Sequence, residues 1–185
     1  MALTTIDATP ALVVIDLQKG IVALPTAHPV DDVVRNAAEL AAAFRRHGFP
    51  VVLVNVDGGA PGRTEAAPRG GERPADWAEL VAALDQQPDD LRITKRTWGA
   101  FHGTTLDEQL KARGVTQVVL TGVATSAGVE STARAAHEHG YHVVLATDAM
   151  TDSSAEDHAN SVERIFPRLG ETATTAEILA GLEDA

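Results

Sequence analysis

The sequence predicts a three-layer α/β fold, a doubly wound parallel sheet of about six strands with helices on both faces. Two observations carry that expectation. Most of the short β-rich runs are apolar on successive residues instead of alternating, which is how strands covered on both faces read. Between them lie helical patterns, and three of these end in a glycine just before the next apolar run, in His47-Gly48-Phe49, Arg113-Gly114-Val115 and His139-Gly140-Tyr141. Glycine supplies the left-handed cap where a helix gives way to a strand, so the chain reads as repeated βαβ crossovers.

The first run, residues 11–16, is ALVVID and is expected at the centre of the sheet. Val34, Ala37, Ala38, Ala41 and Phe44 then recur at helical spacing and present one apolar stripe to it. Residues 50–57 form the second run. The longest irregular stretch, residues 57–75, reads DGGAPGRTEAAPRGGERPA, either a lid over a crevice or a long solvated loop. Residues 91–95, 117–122 and 142–148 are the remaining strong runs. A sixth short strand is expected near residues 171–174, followed by a closing helix.

A chain of 185 residues fits one domain with a substantial core, expected over residues 1–185. With 15 basic and 26 acidic side chains the formal charge is -11, a field that repels phosphate backbones and anionic lipid surfaces. Neither nucleic acid nor a membrane is therefore an expected partner. No apolar run approaches a membrane span, and MALTTIDATPALVVID lacks the basic start and apolar stretch of a signal peptide, so a cytoplasmic location is expected. The chain has no cysteine, which removes disulfides, thiolate metal sites and cysteine nucleophiles together.

In a doubly wound sheet, ligands bind beyond the carboxyl ends of the strands. Those ends carry Asp16, Asn55 with Asp57, Lys95, the turn after Gly122, and Asp148. Asp16 follows five apolar residues, so its carboxylate is expected to be partly desolvated, its pKa raised, and usable as an acid or base. It equally suits a cap for the following turn. Lys95 can stand beside Asp16 and hold it charged, or neutralise an anionic substrate, or be an ordinary exposed lysine. Trp98 and Phe101 follow it, one expected on a pocket wall and the other in the core.

Residues 122–128 form a strand-to-helix turn whose free N–H groups suit an anion or a developing oxyanion. They make neither a G-x-G-x-x-G fingerprint nor a phosphate loop, so no nucleotide cofactor is expected. Among seven histidines none pairs with a carboxylate or another histidine in a recognised ligand spacing except His137 with His139, and residues two apart on a helix face different ways. No metal is expected.

Taken together, ALVVIDLQKG, TKRTWGAF, GVATSAGVESTARAAHEHGY and VVLATDAMTD resemble the isochorismatase-like hydrolase family, in order and spacing over nearly the whole chain. The third segment is the most specific, with Val129 to Arg134 matching the family's Val-Glu-x-Thr-Ala-Arg helix. The resemblance implies a hydrolase whose usual site is an aspartate, a lysine and a cysteine. The first two carry over to Asp16 and Lys95, and the cysteine position is Gly128. The resemblance further implies an oxyanion site around Ala124 and Gly128, a cis peptide between Val123 and Ala124, and a homo-oligomer, a dimer or tetramer. Nicotinamidases of the family bind a metal through an Asp-x-His element, and here that place reads Asp57-Gly58-Gly59.

Glycine has no side chain to attack with, so a covalent intermediate at Gly128 is excluded. Thr125 and Ser126 offer hydroxyls, but no histidine base is evident beside them in the sequence and helix capping accounts for both. Isochorismatases proper need no thiol, because a vinyl ether is cleaved by protonation and addition of water. Asp16 is then the general acid and Lys95 orients it or the substrate, provided that burial outweighs the pull of Lys95 toward an ionised Asp16. The alternatives are an ionised Asp16 acting as base on a water that attacks an amide or ester, and a non-catalytic relative that keeps the pocket. The small-molecule substrate is expected to meet Trp98, Phe101, Ala124 and Thr125, with its carboxylates on Arg63, Arg69 or Arg73 of the long loop, or on Arg96.

Overall fold

A computed structural model describes residues 3–65 and 73–183. Six strands form one parallel sheet: β1 (Pro10–Ile15), β2 (Val51–Val56), β3 (Leu91–Lys95), β4 (Gln117–Val123), β5 (His142–Thr151) and β6 (Glu171–Ala173), in the order β3-β2-β1-β4-β5-β6. The α-helices are α1 (Lys19–Val22), α2 (Val30–Arg46), α3 (Leu106–Lys111), α4 (Glu130–Glu138), α5 (Ala155–Asn160) and α6 (Thr175–Glu183).

Alternate residues of β1 explain the layers. Leu12 and Val14 pack against Leu40 and Phe44 of α2 and Ile178 of α6. Ala11, Val13 and Ile15 face the other way, onto Leu106 and Leu110 of α3 and Ala133 and Ala136 of α4. All six residues of β1 are buried, so its unbroken apolar run follows from having helices on both sides. Burial of one such side chain contributes about 1.5–3 kcal/mol. The buried stripe of α2 includes the expected Ala37, Ala41 and Phe44, while Val34 and Ala38 lie at its edge and Val33 and Leu40 complete it. Gly48, Gly114 and Gly140 have φ of 73°, 66° and 88°, the left-handed caps expected before β2, β4 and β5.

β5 departs from its expected end. It continues past Asp148 to Thr151, with a register shift against β4 between Leu120 and Gly122, and Met150 and Thr151 pair with Gly122 and Val123. Asp148 therefore does not reach the carboxyl edge. Its Oδ1 instead accepts the Thr175 N–H at 2.7 Å and the Thr175 hydroxyl at 2.9 Å at the start of α6.

The strand order reverses direction between β1 and β4, which is where an open parallel sheet leaves a crevice at its carboxyl edge. Gly122 borders that crevice with φ 119°, and a Cβ there would overlap the carbonyl of Ile15. Glycine is thus what lets the ends of β1 and β4 close up beside Asp16.

Candidate active site

Asp16 follows β1 directly and has φ 51°, a left-handed turn that aspartate tolerates better than most residues. Its N–H still bonds the Val54 carbonyl at 2.9 Å, so the sheet fixes the backbone while the turn sends the side chain out of the strand direction. Lys95 ends β3, two strands away, and its long side chain reaches back. Its Nζ donates to Asp16 Oδ2 at 2.7 Å and to the Thr97 carbonyl at 3.1 Å. Asp16 and Lys95 are 5% and 2% exposed, so the pair is buried together.

Asp16 Oδ1 is also buried and has no hydrogen-bond partner among the described residues. Burial lifts the Asp16 carboxyl from 3.8 to about 6, against the opposing charge and hydrogen bond of Lys95. Desolvation therefore prevails over the ion pair, as the general-acid role requires.

The peptide bond between Val123 and Ala124 is cis, and a π-helical turn, Thr125–Val129, leads into α4. Gly128 lies within that turn. A Cβ built on it would stand 3.4 Å from Asp16 Oδ2 and 3.0 Å from Ile15 Cγ2, so the place where a thiol would project lies against the acid. Asp16, Lys95, Ala124 and Gly128 share the wall of a cavity of about 800 Å³. Among the described residues its titratable lining comprises one carboxylate, Asp16, and three cations, Lys95, Arg73 and Arg96. In a chain of net charge -11, that local excess of positive charge favours an anionic ligand.

The other site residues divide. Trp98 lines the cavity and is 68% exposed, whereas Phe101 is buried in the core against His139 and Tyr141 and does not line it. Arg73 and Arg96 line the cavity; Arg63 is exposed and does not. Arg69 lies outside the described residues, as does the middle of the expected lid. Asn55 bonds the Ala78 carbonyl and the Thr94 hydroxyl, and Asp57 is exposed away from the lining.

Thr125 corrects the sequence-based expectation that no histidine stands near the turn. His158, 33 residues on, brings Nδ1 within 2.8 Å of its hydroxyl. Thr125 is nevertheless wholly buried and absent from the cavity wall, so the hydroxyl does not face a substrate. Burial and the adjacent His28 hold His158 below the usual imidazole range, against the pull of Asp152. Asp152 is a further residue the sequence did not single out. It takes the place beyond β5 expected of Asp148 and accepts the N–H and hydroxyl of Ser126 at 2.7 and 2.8 Å. The protein's own carboxylate thus satisfies part of the helix start that the sequence offered to a ligand.

Gln18, two residues after the acid, and Trp77, on the wall of its cavity, also went unmarked in the sequence. A second cavity, of about 750 Å³, lies at the opposite edge of the sheet, where Arg45 and Asp90 are already paired at 2.7 Å. Among the described residues no three His, Asp or Glu side chains converge as metal ligands would, and no helix is long and apolar enough to cross a membrane.

Comparison with known proteins places this geometry. Residues 10–177 match the model of the isochorismatase domain. An uncharacterised isochorismatase family protein of Bacillus subtilis, YwoC, is 48% identical over 179 residues, covering 91% of this chain and 92% of its own. A probable isochorismatase of Pseudomonas chlororaphis is 31% identical over 159 residues, 80% of this chain and 74% of that one. The ureidoacrylate amidohydrolase RutB of Variovorax paradoxus is 33% identical over 138 residues, 63% of this chain and 55% of its own. The solved structure of an isochorismatase family protein from Burkholderia thailandensis superposes with a TM-score of 0.93 at 44% identity, over 97% of this chain and 98% of that one.

Proposed function

Because the chain belongs to the isochorismatase family and is a hydrolase, we propose that it cleaves the vinyl ether of isochorismate, or of a closely related small carboxylate, with Asp16 as general acid and no covalent intermediate. The observation that carries this reading is the Asp16 carboxyl. It is buried beside Lys95, has its pKa lifted to about 6, and lines a cavity whose nucleophile position is Gly128.

The chemistry follows from that carboxyl. The enol carbon–carbon double bond takes the Asp16 proton at its terminal carbon, leaving an oxocarbenium ion at the carbon that bears the ether oxygen. Water adds there and returns one proton to Asp16. The resulting hemiketal passes its hydroxyl proton to the ether oxygen as that carbon–oxygen bond breaks, releasing pyruvate and an alcohol. Lys95, Arg73 and Arg96 supply the charge that seats the carboxylates, and the face of Trp98 offers an apolar wall.

One observation favours a second reading. Above pH 6 the ionised form of Asp16 predominates, and as a base it can activate water toward an amide. The two readings predict opposite pH dependence. The direct test is pyruvate release from isochorismate by the purified protein. Asp16→Asn is expected to lower kcat by roughly 10²–10⁴-fold, the usual contribution of a positioned acid. Full turnover by that variant, or no pyruvate from the parent protein, overturns the proposal.

A further inference from the structure

We propose that Gln18 is a positioning residue whose buried side-chain amide anchors the Trp77 wall of the cavity, and through Trp77 the guanidinium of Arg73, in a fixed relation to Asp16. The inference rests on the cavity being the substrate site, as proposed above, and gives that site a second structural member beyond the acid and its lysine.

Gln18 is wholly buried, and its amide is fully used. Oε1 accepts the Val56 N–H at 2.7 Å, and Nε2 donates to the Val56 carbonyl at 3.1 Å and to the Trp77 carbonyl at 3.2 Å. An unbranched apolar side chain would fill the same space but leave the Val56 N–H without its acceptor, and an unmet buried donor is costly. The amide therefore does what packing alone cannot: it joins the end of β2 to a loop that belongs to no strand of the sheet.

The neighbouring backbone reinforces the joint. Lys19 N–H bonds the Glu79 carbonyl at 2.8 Å, Gly20 N–H bonds the Trp77 carbonyl at 3.0 Å, and Val81 N–H bonds the Leu17 carbonyl at 3.0 Å. The indole of Trp77 then lies on Gly20, where any Cβ would overlap the ring. Arg73 stacks on that indole, with Cζ 4.1 Å from the ring centroid.

Gln18 also shares a short segment with the acid. Its N–H bonds the Asp16 carbonyl at 2.8 Å, so the carboxyl and the anchor turn together as one unit. An anion receptor at Arg73 seats a substrate over Asp16 only if it is held at a fixed separation from it, so a loosened Arg73 weakens binding. Gln18 is the side chain that ties one to the other.

A double-mutant cycle on isochorismate turnover tests this. Gln18→Met and Arg73→Ala are each expected to raise KM roughly tenfold with kcat held within about threefold, and the double variant to match Arg73→Ala within about threefold, because residues acting through one another are non-additive. A purely structural Gln18 predicts multiplied effects, near 100-fold in KM for the double variant by the same additivity rule, and that result or an unchanged KM in Gln18→Met overturns the proposal. Gln18→Glu keeps the acceptor for Val56 but loses both donations, and gives the same direction if Gln18→Met does not fold. The chain has two tryptophans, so Trp98→Phe leaves Trp77 as the sole indole. In that background Gln18→Glu is expected to raise acrylamide quenching of Trp77 at least twofold. Unchanged quenching overturns the anchor whatever the substrate proves to be, whereas an absence of pyruvate from the parent protein sinks only the reaction.

Discussion

The Nζ of Lys95 stands 2.7 Å from Oδ2 of Asp16, and it is the opposite oxygen, Oδ1, that is buried without a partner among the described residues. That asymmetry reconciles two demands that look opposed. A proton on Oδ1 leaves the Oδ2–Lys95 hydrogen bond intact, so Asp16 can be protonated without surrendering its lysine. The lysine orients the carboxyl, and burial sets its affinity for the proton.

The first prediction concerns pH. With the Asp16 carboxyl near 6, kcat/KM for isochorismate is expected to be flat below about pH 6 and to fall tenfold per unit above it, tracking the protonated fraction. A rate that rises through pH 6 and levels off above it assigns Asp16 as a base and excludes the vinyl-ether mechanism. Initial rates of pyruvate release in constant ionic strength buffers decide between the two.

Replacing Lys95 moves that profile in a defined direction. Lys95 lowers the Asp16 pKa by its charge and its hydrogen bond. In Lys95→Met the raising effect of burial is unopposed, so the inflection shifts to higher pH while KM for the anionic substrate increases. An inflection unmoved or shifted downward would show that the profile belongs to a different group.

Much of this site was legible in the sequence because it sits where strands end. ALVVID and LRITK place Asp16 and Lys95 at one edge from apolar patterning alone, and the glycine caps order the crossovers. What was not legible depended on register and long-range packing. Asp148 looks like a strand end until the pairing of Met150 and Thr151 with β4 carries the strand onward and puts Asp152 in that place. Phe101 and Trp98 are alike in the sequence, and only packing against His139 and Tyr141 sends one inward. Trp77 reaches the acid's cavity, and His158 the Thr125 hydroxyl, from segments whose local pattern carries no mark of it.

Asp16 also has a signature in stability. Its folded-state pKa, about 6, lies above the ordinary carboxyl value of 3.8, so the folded form holds the proton more tightly than the unfolded chain does. The contribution is fully present below the unfolded value and is lost as pH rises through about 6, a difference of about 3 kcal/mol. Relative to Asp16→Asn, the parent protein is expected to lose about that much unfolding free energy between pH 4 and pH 7 in urea titrations. Parallel pH profiles for the two proteins would contradict the raised pKa.

Thr125→Val separates packing from chemistry. The hydroxyl is buried and bonded to His158, away from the cavity wall. The substitution is expected to cost about 1–2 kcal/mol, the loss of one buried hydrogen bond, and to leave kcat within a small factor. A loss of turnover comparable to that of Asp16→Asn would instead identify Thr125 as a nucleophile.

Gly128→Cys tests whether the emptied nucleophile position opens onto the substrate. The new Cβ meets only the Ile15 Cγ2 methyl closely, at 3.0 Å, and a shift of that methyl by a few tenths of an ångström admits it. The variant is therefore expected to fold, with a penalty of about 1 kcal/mol for the extra volume. Because the parent chain has no cysteine, the introduced thiol is the sole target for iodoacetamide. One equivalent of label is expected, accompanied by loss of turnover, since the adduct would fill the space beside Asp16. Saturating isochorismate is expected to slow the labelling several-fold by occupying the same space. Labelling that proceeds at the same rate with substrate present would mean that the ligand does not lie over Gly128, and the acid would then have to be sought on another wall.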